Sequence, residues 1–324
     1  MRAIIPVAGV GSRLRPHTYT LPKVLLNVAG KPIIGHIMDK LIAKQIDEVT
    51  IIVGYFGDMI EDYIKNNYSI NVDFIYQEGR EGLAHSIYIA HHTFQDKEIV
   101  IILGDTIFDV DLQMFCNNNY SVIGVKEVDD PRRFGVANTS GEFITELVEK
   151  PENPESKLAL VGLYYIKNSN LFKNCLIELL EKKIKTKGEY QLTDALQMMI
   201  DKGEKIRPYH VEGWYDCGNS ETLLATNRHL LSQKSTKKNI DGVVIVPPVY
   251  IAENCKIEKS IIGPYATIAD GAQICESVIR NSIICDHAKV HCLLLESSLV
   301  GNNSVVSGSY KRVNAGDSSE IEFI

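Results

Sequence analysis

Between residues 245 and 306 this chain places a branched aliphatic at every fifth or sixth position: Ile245, Ile251, Ile257, Ile262, Ile268, Ile274, Ile279, Ile284, Val290, Leu295, Val300 and Val306. A helix repeats its buried face every three or four residues and an ordinary strand every two, so neither explains this period. Twelve such positions, with small residues such as Ala266, Ala272, Ala288 and Ser304 two places before several of them, suit a triangular β-solenoid of about four coils. The five-residue steps imply some tight corners.

Upstream, Ser232 to Asn239 is polar and free of apolar residues and reads as a linker. The expected organisation is therefore a first domain over 1–231, a linker over 232–241, and a solenoid with an irregular tail over 242–324. The first domain alternates fully apolar runs with helical patterns. Arg2 to Val7, Val49 to Val53, Val72 to Tyr76 and Ile99 to Leu103 read as strands, separated by helices near Pro32–Ala43, Phe56–Ile64 and Leu83–Ala90. Such alternation predicts an α/β fold with a mostly parallel, Rossmann-like sheet covered on both faces, whose ligands bind at the carboxyl ends of the strands. Ser121–Val125, Phe143–Val148 and Leu160–Ile166 are strands without long crossovers and read as a lid-like second layer. A helix follows from about Ser220 to Leu231.

Three features meet at those carboxyl ends. Ala8-Gly9-Val10-Gly11-Ser12-Arg13 leaves the first strand as a loop whose glycines let backbone N–H groups approach an anion, while Arg13 offers a fork of donors and Lys23 a point charge. Gln77 to Ala84 follows the third strand. Gly104-Asp105 closes the fourth, holding a carboxylate where a phosphate-bound Mg²⁺ needs one.

The string G-x-G-S-R-L-x-P after an N-terminal strand, with Leu21-Pro22-Lys23-Val24-Leu25-Leu26 and Ala29-Gly30-Lys31-Pro32-Ile33, resembles the signature of sugar-1-phosphate nucleotidyltransferases. They are also called nucleotide-sugar pyrophosphorylases. The period-six segment is similar to the hexapeptide-repeat left-handed β-helix, and the whole resembles glucose-1-phosphate thymidylyltransferase-like proteins that carry one. The resemblance implies a nucleotide site at Ala8, Gly9, Gly11, Ser12, Gln77 and Gly82, with Arg13 and Lys23 acting on the phosphates. It implies Mg²⁺ on Asp105 and on Asp216 of the Trp214-Tyr215-Asp216-Cys217-Gly218 turn. Gly135, Glu149 and Gly162 would contact sugar hydroxyls, and Lys150 the sugar phosphate. Cys217 departs from the small or β-branched residue expected there and reads as a packing variant. Thr193 and Asp194, in Glu189 to Asp194, read equally well as helix-start capping residues.

The implied reaction joins a sugar-1-phosphate, glucose-1-phosphate by default, to a nucleoside triphosphate, with dTTP or UTP favoured because a glutamine amide matches the pyrimidine dione edge. Two alternatives stand beside it: a second, acyltransferase activity in the solenoid, with His287 or His291 available, and a catalytically silent regulatory paralogue. A net charge of −7 without a basic stripe argues against nucleic acid, and no apolar run reaches the ~18 residues of a membrane span. Seven cysteines with no C-x-x-C and no signal peptide fit reduced thiols in a cytoplasm. The short solenoid is expected to be structural and to join copies into a homo-oligomer.

Overall fold

The computed structural model describes residues 1–94, 96–234, 238–309 and 320. It divides into two compact units, one of Met1–Leu26 with Lys31–Thr226, the other of Asn27–Gly30 with Asn227–Ile324.

The first unit is built on a nine-stranded mixed sheet. Strands β1 (Arg2–Pro6), β2 (Glu48–Val53), β3 (Asn71–Tyr76) and β4 (Ile99–Ile102) are mutually parallel in the order β3-β2-β1-β4. Consecutive residues on β1 and β4 fall on opposite faces, and both faces are buried. Ile4, Ile99 and Ile101 join one core, Ala3, Ile5, Val100 and Ile102 the other, which is why these runs are apolar without interruption. Helices α1 (Ile33–Ala43) and α2 (Gly57–Asn67) cover the second core through Ile37, Met38, Leu41, Ile60 and Ile64. Helix α3 (Leu83–Ile89) covers the first through Ala84 and Ile87.

The expected second layer does not exist as such. Strand β5 (Leu158–Ile166) pairs antiparallel with β4 through Leu163–Ile166, and Ser121–Glu127 pairs with β5 in turn, so both extend the central sheet. Val161, Leu163 and Tyr165 are buried in one core and Tyr164 and Ile166 in the other, so β5 needs cover on both faces. Phe143–Glu149 pairs with Gly135–Ser140 at the sheet's far end. The helix of Ser220–Gln233 runs two residues into the segment read as linker, where the Ser232 hydroxyl donates to the Arg228 carbonyl. Residues 235–237 of that segment, and nearly all of the expected tail, lie outside the described residues.

The second unit holds three parallel four-stranded sheets. All twelve aliphatics stack as predicted: Ile245-Ile262-Ile279-Leu295, Ile251-Ile268-Ile284-Val300 and Ile257-Ile274-Val290-Val306. Ala266, Ala272 and Ala288 are fully buried beside them. These are the stacked coils of a left-handed β-helix. Asn27–Gly30 is tied in by Asn227, whose Oδ1 accepts from Ala29 N–H at 2.9 Å and from Thr267 Oγ1 at 2.7 Å, while its Nδ2 donates to the Tyr265 carbonyl at 3.2 Å. Gly30 has φ +89 and lies under the Tyr250 ring, so no Cβ fits there.

Candidate nucleotide and phosphate site

The loop after β1 turns at Gly11, whose φ of +62 and ψ of +38 are left-handed, and a Cβ there would stand 2.9 Å from that of Lys23. The Gly11 carbonyl accepts from Thr18 Oγ1 and from Leu14 N–H, both at 2.9 Å, pinning the loop from behind. Gly9 faces open space, with nothing within 4 Å of its Cβ position. Lys23 is 7 % exposed, and its ammonium bonds Asp105 Oδ2 at 2.7 Å.

Strand Thr106–Asp109 pairs antiparallel with Gly213–Asp216, putting Asp216 opposite Thr106, and Cys217 N–H donates to the Asp105 carbonyl at 2.9 Å. The two aspartates therefore sit side by side at one edge. Burial raises the pKa of Asp216, and the Asp105 charge raises it further against the opposing pull of Lys23, Arg13 and the Gly218 N–H. Two neighbouring carboxylates, with Asp216 held up by burial and by the charge of Asp105, are a donor set suited to a hard divalent cation such as Mg²⁺. Cys217 is fully buried against Thr226, and burial pushes its thiol up to about 12, so it packs and does not react.

A raised carboxylate pKa means that the charged form is disfavoured by folding, so the penalty is full above the folded pKa and gone below the unfolded value of ~3.9. In chelator, Asp216→Asn is expected to melt higher than the wild type at pH 7 to 8, with the gain shrinking as pH falls towards 4. Scanning calorimetry across pH checks this, and a variant that melts lower throughout contradicts it.

Two cavities share Arg13 and Asp105. The smaller, about 390 Å³, is lined by Gly9, Gly11, Ser12, Arg13, Lys23, Asp105 and Gly218. The larger, about 740 Å³, is lined by Arg13, Asp105, Asp216, Gly135, Glu149, Lys150, Gly162, Thr193 and Trp214, among others. Gly135 opposes Glu149 in register, and a Cβ there would stand 3.0 Å from Thr193 Oγ1 and 3.2 Å from Glu149 Oε2. Gly162, at φ +81, sits where the pairing of β5 shifts register. Lys150 takes a left-handed φ of +45 at its strand end, and its ammonium lies 3.1 Å from Glu149 Oε1.

Ala8, Gln77 and Gly82 line neither cavity. The Gln77 amide lies 3.4 Å from His85 Nδ1. Gly82 has a packing reason of its own: at φ +113 its Cβ would come 2.3 Å from the Tyr190 carbonyl oxygen.

Two cavity residues escaped the sequence reading. Thr193 is not a cap: its hydroxyl donates to Glu149 Oε2 at 2.6 Å. Trp214 Nε1 is buried and has no acceptor among the described residues.

A glycine-rich loop at a strand end, a basic pair and two neighbouring carboxylates are the features that a protein handling nucleotide phosphates needs. Residues 2–233 match the nucleotidyl transferase family, and the chain belongs to it. It is a nucleotidyltransferase enzyme. It is 37% identical over 314 residues to the bifunctional protein GlmU of Methanocaldococcus jannaschii, covering 95% of this chain and 72% of that protein. It is 30% identical over 361 residues to glucose-1-phosphate thymidylyltransferase of Streptomyces antibioticus, covering 99% of each. A crystal structure of UDP-glucose pyrophosphorylase complexed with UDP-glucose shares its fold, at a TM-score of 0.63 and 24% identity, over 72% of this chain and 99% of that one. No helix among the described residues is long and apolar enough to cross a membrane.

Proposed function

We propose that the chain transfers a nucleotidyl group from dTTP or UTP to a sugar-1-phosphate, by default glucose-1-phosphate, releasing pyrophosphate. The observation that carries this is the pair of adjoining cavities with Arg13 and Asp105 on their shared border, one walled by the glycine loop and the other by Glu149, Lys150 and Thr193. The loop amides and Arg13 hold the triphosphate and stabilise departing pyrophosphate, while Lys23 and Lys150 align the phosphates for in-line attack. The attacking phosphate oxygen is already anionic, so no residue needs to act as a base. Mg²⁺, held by Asp105 and Asp216, would supply charge neutralisation between the phosphates.

Glu149, Gly135 and Gly162 receive the sugar hydroxyls, with Trp214 Nε1 as a further donor. Gln77 and Gly82 line neither cavity but are assigned to the base, Gly82 directly preceding Leu83, which lines both. Relatives support the pyrimidine, since one is a thymidylyltransferase. All of Arg13, Lys23, Asp105 and Asp216 are in place, against a silent paralogue. A pyrophosphate-release assay over a matrix of nucleoside triphosphates and sugar-1-phosphates tests the proposal: dTTP and UTP lead with a hexose-1-phosphate, and leadership by GTP or ATP overturns the base assignment. Thr193→Val removes a hydrogen bond to a carboxylate, worth ~1.5–3 kcal/mol. It should raise the KM for the sugar-1-phosphate about tenfold or more and leave that for the nucleotide unchanged.

A further inference from the structure

Away from the transferase cavities, one corner of the solenoid gathers a thiol, an imidazole and a carboxylate. Lys259, Glu276 and Cys292 occupy equivalent left-handed corner positions on successive coils, with φ of +45, +50 and +53. Glu276 N–H bonds the Glu258 carbonyl and Cys292 N–H the Cys275 carbonyl, so the corners stack one above the next. His291 ends the strand before the third corner. Glu276 turns Oε1 towards Lys259 Nζ, at 3.6 Å, and Oε2 towards the other two side chains.

The triangle they form has edges of 3.4 Å from Cys292 Sγ to Glu276 Oε2, 3.5 Å from Sγ to His291 Nε2, and 3.8 Å from Nε2 to Oε2. A tetrahedral Zn²⁺ with bonds of ~2.0–2.3 Å to these atom types separates its ligands by about 3.4–3.6 Å, so the donors already stand near coordination distance of one centre. The groups are accessible, with Glu276 29 % and His291 54 % exposed. A cavity of about 350 Å³, lined by Glu276 and Cys292 together with Ile261, Val278 and Leu294, borders the cluster and leaves room for a fourth ligand.

We propose that Glu276, His291 and Cys292 form a binding site for a borderline-soft divalent cation of the Zn²⁺ class, separate from the Mg²⁺ that phosphate chemistry uses. Thiolate and imidazole donors select such a cation over Mg²⁺. Binding forms an S–metal bond and breaks the S–H bond, the proton leaving to solvent, while neutral His291 binds through Nε2 and keeps its proton on Nδ1.

The test uses the full chain with Zn²⁺ and Co²⁺ as probes. Calorimetric titration in buffers of differing ionisation enthalpy should show one Zn²⁺ site releasing about one proton. Co²⁺ should give a thiolate charge-transfer band that Cys292→Ser abolishes and Cys275→Ser retains. Since even an outer partner of a ligand costs 10–100-fold, Cys292→Ser and His291→Ala should each weaken Zn²⁺ by at least about 100-fold. Nucleotidyl transfer should be unchanged in both. Zn²⁺ bound equally by wild type and Cys292→Ser, or a band lost with Cys275 instead, overturns the proposal.

Discussion

Asp105→Asn is expected to lower kcat by about 10³-fold, since removing a metal-holding charge forfeits roughly 4 kcal/mol of transition-state stabilisation. The structure adds a second consequence. Lys23 is 7 % exposed and its ammonium bonds Asp105 Oδ2, so the amide leaves a buried cation with a weaker acceptor. A stability loss of ~1–2 kcal/mol follows, or about 2–8 °C in a unit of this size. The activity loss far exceeds what that melting shift explains at 25 °C. Asp216→Asn should lose a similar factor, and the double variant little more than either alone, because the two carboxylates act as one unit. Steady-state pyrophosphate release with calorimetry on the same preparations decides the matter. Near wild-type kcat in Asp105→Asn at modest Mg²⁺ removes the metal assignment.

Asn227→Ala should produce the largest loss of stability. Asn227 is fully buried and serves Ala29 N–H, the Tyr265 carbonyl and Thr267 Oγ1 at once, and alanine strands all three. Each unsatisfied group costs ~1–3 kcal/mol when buried; Ala29 and Tyr265 are only partly so, giving about 3 kcal/mol in total. The solenoid transition should fall by about 10–20 °C. Hydrogen exchange at the Ala29 amide should accelerate in parallel, and an unchanged rate there contradicts the role given to Asn227.

The solenoid was legible because each coil presents the same requirement: one branched aliphatic pointing inward every five or six residues, with alanine beside it. Asp105 was legible because an uninterrupted apolar run must end at the sheet's edge, and a carboxylate directly after it has nowhere else to go. Thr193 was not. A threonine at a helix start looks the same whether it caps its own helix or donates to Glu149, and that partner is 44 residues away. The placement of Leu158–Ile166 was misread for a related reason. Its pattern demands burial on both faces but does not say against which strand, and antiparallel pairing with Ile99–Ile102 is a long-range choice. Gln77 and Gly82 were picked out by motif, yet the motif carries Gly82 for a steric reason as well, the approach of the Tyr190 backbone.

The second unit is not continuous in sequence, since Asn27–Gly30 belongs with Asn227–Ile324. Exchange of solenoids between relatives therefore cannot be accomplished by one crossover within the helix that starts at Ser220. Such a chimaera inherits a foreign set of coils but keeps four residues fitted to the old ones, including Gly30, which makes room for the Tyr250 ring. A functional graft needs two separate segments from the same donor, so the early tetrapeptide and the distant coils form one heritable module despite nearly two hundred intervening residues.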